Sequence, residues 1–187
     1  MVRRILLLAS GAGSLASAIL SAIEAGTISA QCVGLISDQN SPVLEVARSF
    51  GIPNFYIPMR TVRSEWDLEM LECARNLSPD LIVSVGFMRL LAPQFVSTLT
   101  VINTHPSLLP LYPGAHAVRD ALAAKAPQTG TTVHKVDSGL DTGAVISQRT
   151  VEIRGDDNEA TLHERIKIVE RALIVETLAE YGKSGSL

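Results

Sequence analysis

Asn103 and His105 stand two residues apart at the end of an apolar run, in the stretch VINTHPSLLPLYPG from Val101 to Gly114, and Pro106 follows at once. Residues i and i+2 of a strand face the same side. The pair points together if the chain stays extended through Thr104, and Pro106 favours extension because the residue before a proline avoids the helical region. An Asn amide is a neutral hydrogen-bond donor, and a His is a cationic donor or a proton source. Side by side they suit a carbonyl oxygen that becomes negative in a tetrahedral intermediate. An acid that holds the His charged and oriented would complete the set. Asp141, in the glycine-flanked stretch VDSGLDTGA, is the best candidate. The plainer alternative makes Asn103 the cap of a turn and His105 a satisfied core polar group.

A second chemical signal is SGAGSLA, Ser10 to Ala16, set between an apolar run and a helix-like segment. A sharp turn there leaves backbone N–H groups unpaired and ready for an anion. Glycine lets the backbone approach a phosphate, and Ser14 is a candidate N-cap or direct donor. The spacing also fits the dinucleotide pattern G-x-G-x-x-A, with Asp38 placed as a ribose-binding acid. Phosphate binding, dinucleotide binding and a merely tight turn all remain open on the loop alone. A doubly wound dehydrogenase would need a second mononucleotide half, for which 187 residues leave little room.

Elements that could hold these groups alternate along the chain. Arg4 to Ala9, Cys32 to Ile36, Phe55 to Ile57, Leu81 to Val85 and Val101 to Asn103 read as strands. Helices are expected near Leu15 to Glu24, from Ser41 as N-cap with Pro42 at N1 through Phe50, and over Ser64 to Asn76. The β-α-β-α alternation predicts a parallel sheet covered on both faces. After a helix at Ala117 to Ala124, the β-branched runs Thr131 to Lys135 and Val145 to Ile153 are joined too closely for a crossover. They predict an antiparallel addition. A last helix spans about Glu159 to Tyr181, and 183–187 reads as a frayed tail. The expected fold is a three-layer αβα arrangement in a single domain over 1–187. Its mostly parallel twisted sheet has a Rossmann-like phosphate-binding half (about 1–100) and a catalytic half (about 101–182).

The composition is 47% hydrophobic and 4% aromatic, with a net charge of −3. No basic patch of the kind nucleic acid requires is present in the sequence, and no apolar run nears the roughly 18 residues of a membrane span. The basic, apolar start MVRRILLLAS imitates a secretory signal, but Gly11 and Gly13 interrupt it and a buried strand explains it better. Cys32 and Cys73 are expected to be reduced core residues, in a cytoplasmic protein.

NTHPSLLPLYPG, with GFMRLL at Gly86 to Leu91 and LDTGAVI at Leu140 to Ile146, resembles the phosphoribosylglycinamide formyltransferase family over nearly the whole chain. The resemblance implies transfer of a formyl group from 10-formyltetrahydrofolate to the amine of glycinamide ribonucleotide in purine biosynthesis, and the formyltransferase fold. It assigns the catalytic trio to Asn103, His105 and Asp141, with Asn103 and protonated His105 stabilising the oxyanion. The glycine loop becomes the ribonucleotide phosphate site through backbone N–H groups of Gly13, Ser14 and Leu15. Lys167 and Glu170, i and i+3 on the last helix, match positions on the phosphate and ribose side, although a surface ion pair would look the same. Folate would lie against Met88, Arg89, Leu90 and Leu91, with Asn103 beneath. Asp137, Ser138, Gly139, Leu140 and Asp141 would lie opposite, and Arg63 near the carboxylated end. The family often has Asn where Leu15 stands. His116 and His134 are expected behind the site, and His163 on a helix surface.

The partners expected are small-molecule substrates, with no nucleic acid, no membrane and no metal, and a monomer or homodimer. Related enzymes share Asn-x-His and the distant Asp. A formyltetrahydrofolate hydrolase would be expected to carry a regulatory domain in front, and a methionyl-tRNA formyltransferase a C-terminal domain and a more basic surface. A non-catalytic nucleotide-binding module would need only the glycine loop.

Overall fold

Strand-forming runs that are apolar on both faces can be buried only between two helical layers, and the chain is built that way. The computed structural model describes residues 2–187. The strands are β1 (Arg3–Leu8), β2 (Ala30–Ser37), β3 (Asn54–Tyr56), β4 (Leu81–Ser84), β5 (Val101–His105), β6 (Gln128–Lys135) and β7 (Val145–Glu152). They form one sheet in the order β3-β2-β1-β4-β5-β6-β7. The first five are parallel, while β6 runs antiparallel to β5 and β7 antiparallel to β6.

Alternation along β1 sorts the core. Ile5 and Leu7 pack with α1 (Ser14–Glu24), α2 (Val43–Ser49) and α6 (Glu159–Ser184). Leu6 and Leu8 pack against α3 (Arg63–Asn76) and α4 (Pro93–Thr98), around Trp66, Met70 and Phe95. The short α5 (Ala117–Ala123) adds a smaller cluster in which Val118 meets Val151, Leu162 and Ile166. Cys32 and Cys73 are free, the first buried. Among the described residues no helix is long and apolar enough to cross a membrane.

Several expectations shift. β5 continues through His105, paired His105 to Thr132 with β6, so the extension that Pro106 favours is realised. α4 was not anticipated. Ser41 is not a side-chain cap: α2 opens at Val43, whose N–H donates to the Gly11 carbonyl at 3.2 Å, and the Ser41 hydroxyl is buried without a partner. The glycine loop, rather than a serine, pins that helix start. The frayed tail is also corrected: α6 runs to Ser184, Gly185 closes it in the left-handed region by donating to the Tyr181 carbonyl, and Leu187 packs on the core.

The strand order places a topological switch between β1 and β4, because the chain winds outward to β3 and then returns to the other side of β1. Ligands of open α/β sheets bind outside the carboxyl ends of strands at such a point. The loops that leave β1 and β4 there are the glycine loop and Gly86 to Leu91, joined where Ser10 N–H donates to the Gly86 carbonyl at 3.1 Å.

Candidate active site

Asn103 and His105 project from the same face of β5, next to the switch. His105 is 5% exposed. Its Nε2 lies 2.9 Å from the Tyr112 carbonyl oxygen and its Nδ1 lies 3.4 Å from Asp141 Oδ2. Both ring nitrogens thus face oxygen atoms, which fixes the orientation of the ring. The Asp141 carboxylate is held in turn, since Gly114 N–H donates to Oδ2 at 2.8 Å. That bond gives the glycine of LYPG a role: it ties the segment after β5 to the loop after β6. Tyr112 and Asp141 both adopt left-handed backbone conformations, with φ of 54° and 55°. Two strained residues therefore flank one imidazole, as is common where geometry serves a site.

His134 is closer to the centre than the sequence suggested. It is the cross-strand partner of Asn103, and its Nε2 lies 3.2 Å from Asn103 Nδ2 and 3.6 Å from Asp141 Oδ1. Its alternation with Thr132 on β6 was the one signal that could have revealed this, and only once the register with β5 was known. His116 is exposed at the start of α5, and His163 is half-buried on α6.

The glycine loop has the form expected of an anion site. Gly13 sits at the N-cap of α1 with φ of 83°, and a Cβ there would lie 2.8 Å from Val43 Cγ2, so glycine is required twice over. No side chain caps the helix, which leaves the first-turn N–H groups around Ser14 and Leu15 for an external acceptor. The Leu15 side chain is buried in the core beneath α1, so only its backbone can serve such a ligand. On α6 the surface ion pair of Lys167 with Glu170 does not form. Lys167 pairs with Glu164 at 2.8 Å, while Glu170 is 5% exposed under the helix. Burial pushes its carboxyl above the ordinary range; the Thr104 hydroxyl nearby opposes this somewhat, although that hydroxyl has no hydrogen-bonded partner.

The opposite wall is apolar and open. Met88 and Leu90 are 70% and 60% exposed, and Leu140 on the facing loop is 51% exposed. Arg63 borders this wall: it donates to the Leu90 carbonyl and pairs with Asp67 at 2.7 Å. Arg89 Nε lies 2.6 Å from Asp38, whose side chain is fully buried and also accepts from Ser10 Oγ at 2.5 Å. Ser10 Oγ in turn accepts from Met88 N–H at 3.0 Å. Asp38 is thereby consumed as the crosspiece between the glycine loop and the apolar wall, and the ribose-binding role of the dinucleotide alternative has no acid left. Asp137 accepts from the Thr142 hydroxyl and from Gly139 N–H, bonds that hold its carboxyl below the usual range and keep the Asp137–Asp141 loop folded. Ser138 is exposed in that loop. A cavity of about 460 Å³ between β7 and α6, lined by Gln148, Arg149 and Glu176 among others, lies apart from this chemistry.

The formyl transferase family's sequence model matches residues 3–178. The chain is 42% identical over 186 residues to the phosphoribosylglycinamide formyltransferase of Mycobacterium tuberculosis, covering 97% of this chain and 86% of that protein. Among solved structures, glycinamide ribonucleotide transformylase 1 from Symbiobacterium toebii superposes with a TM-score of 0.93 at 31% identity, over 97% of this chain and 88% of that one. The phosphoribosylglycinamide formyltransferase of Bacillus halodurans does so with 0.93 at 32% identity, over 98% and 97%. A methionyl-tRNA formyltransferase from Kosmotoga olearia is 36% identical over 140 residues, 74% of this chain but 43% of that protein.

Proposed function

Because the chain belongs to the formyl transferase family, we propose that it transfers the formyl group of 10-formyltetrahydrofolate to the amine of glycinamide ribonucleotide, in purine biosynthesis. The single observation that carries the reading is the approach of the Asp141 carboxylate to within 3.4 Å of the ring of His105, which shares a face of β5 with Asn103.

The amine nitrogen attacks the formyl carbon, and the carbonyl oxygen gains the electron pair. Asn103 and protonated His105 stabilise that oxygen, the amide as a donor and the ring through its positive charge. The Tyr112 carbonyl holds the ring at Nε2, and the Asp141 carboxylate faces it at Nδ1. Collapse of the intermediate breaks the bond from carbon to the folate nitrogen. That nitrogen must receive a proton as the amine loses one, and the Asp141 carboxylate, 3.4 Å from the His105 ring, would help to manage the exchange.

The substrates approach from opposite sides. Gly13, Ser14 and Leu15 offer backbone N–H groups to the phosphate, while Lys167 and Glu170 serve the phosphate and ribose side. The folate lies along Met88 to Leu91 and the Asp137–Asp141 loop, with Arg63 toward its carboxylated end. Met88, Leu90 and Leu140 are apolar surface that an aromatic ring system would remove from water, at roughly 25 cal/mol per Å².

Formyl transfer measured with the purified protein tests the reading. Product is expected with glycinamide ribonucleotide as acceptor. Turnover only with water would support a hydrolase, and turnover only with initiator tRNA a methionyl-tRNA formyltransferase. Binding of the ribonucleotide without any transfer would support a nucleotide-binding module. The net charge of −3 disfavours the tRNA acceptor.

A further inference from the structure

We propose that His134 is a positioning residue: as a neutral ring it accepts one N–H of the Asn103 amide and so fixes which end of that amide meets the formyl oxygen. The inference rests on the formyl-transfer reading and concerns how its oxyanion donor is aimed.

His134 Nδ1 lies 2.8 Å from the Lys135 carbonyl oxygen, which can only accept, so Nδ1 carries the proton. In a neutral ring Nε2 is then an acceptor. The group 3.2 Å from it is the Asn103 amide nitrogen, delivered by the β5–β6 register. One of the two amide hydrogens is used in this bond. The other stays free, and the amide oxygen is turned away from the ring. Without this partner the two ends of the amide are nearly equivalent in shape, and nothing on β5 selects between them.

Protonation of His134 would reverse the selection. An Nε2–H facing the amide N–H sets two donors against each other, and rotation of the amide relieves the conflict by bringing its oxygen to the ring. Lone pairs then stand where the donor to the formyl oxygen stood. The cation would also compete for Asp141, whose Oδ1 lies 3.6 Å from His134 while Oδ2 lies 3.4 Å from His105. Burial disfavours the cation most and His105 adds to that effect; the Lys135 carbonyl, Asp141 and Asp137 act in the other direction. The net direction is toward a neutral ring.

Steady-state formyl transfer to glycinamide ribonucleotide, followed across pH, tests the proposal with three variants. In His134→Gln the side-chain oxygen takes the place of Nε2, so kcat stays within about threefold of wild type while the inhibition at acid pH that stems from ring protonation disappears. His134→Ala releases the amide and lowers kcat by ~10²-fold with the ribonucleotide KM little changed. In an Asn103→Ala background, adding His134→Ala costs almost nothing further, because the group being positioned is gone. Wild-type kcat in His134→Ala would overturn the proposal. So would a glutamine variant as slow as the alanine one with KM intact, or full additivity of the two alanine changes. If the wild-type protein transfers no formyl group, the formyl-transfer reading itself fails and this proposal with it; if wild-type transfer is normal, those outcomes count against the proposal alone.

Discussion

A short amide and an imidazole can stabilise an oxyanion only if neither is free to turn, and each is restrained by identifiable contacts. His105 is fixed at Nε2 by the Tyr112 carbonyl and faces Asp141 at Nδ1, while Gly114 N–H keeps the Asp141 carboxylate in place. Replacement of Asn103 by Ala removes the donor proposed to act on developing charge. It is expected to lower kcat by ~10²–10³-fold while leaving ribonucleotide affinity nearly unchanged; single-turnover rates and equilibrium titration would separate the two, and unchanged turnover would remove Asn103 from catalysis. Asp141→Asn leaves the shape but removes the anion facing the ring. The pH–rate profile of transfer is then expected to shift, and an unaltered profile would break the proposed link between Asp141 and His105.

At the scale of elements, the loop after β1 has two duties that fall on different atoms of the same residues. Its backbone is left open at the start of α1, while the Leu15 side chain belongs to the core with Ala16, Ile19 and Leu20. Leu15→Asn is therefore expected to destabilise the protein by about 2–4 kcal/mol through burial of an amide in an apolar layer. Phosphate affinity would change little if the contact is a backbone one. Denaturant unfolding and ribonucleotide titration of that variant give the two values, and a gain in affinity without loss of stability would show that the side chain points to the ligand. The second tie at this scale is Asp38, buried and bonded to both Ser10 and Arg89, which makes the glycine loop and the Met88–Leu91 wall a single mechanical unit.

For the whole molecule, Glu170 sets function against stability. Its carboxyl is raised by burial, so the folded chain holds that proton more tightly than the unfolded chain does. Its contribution is then most favourable at acid pH and is lost as pH rises from the ordinary Glu range near ~4.3 through the raised value. Glu170→Gln has no charge to bury. It is expected to raise the melting temperature at neutral pH, with the gain shrinking on acidification, and to weaken ribonucleotide binding. Calorimetry at several pH values checks the first expectation and titration the second; a gain independent of pH would place its cause outside this carboxyl.

Most of the architecture was legible in residue patterns, because period and composition are local properties. Ile5 to Leu8 are apolar at every position, which only a strand covered on both faces can satisfy, and the β-branched runs that became β6 and β7 betray strands too close together to be parallel. Helix ends were less legible. Ser41-Pro42 has the composition of a cap, yet the Gly11 carbonyl from a distant loop takes the first amide.

The sequence by itself determined the alternation of elements, the open amides at Gly13 and the polar pair at the end of β5, since each depends on neighbours a few bonds away. Tertiary structure alone decided that Asp141 reaches His105, that His134 meets Asn103 across a strand pair, that Glu170 turns inward and that Asp38 is consumed. Those outcomes depend on sheet order, register and helix rotation, and these are fixed only when the entire apolar core packs at once.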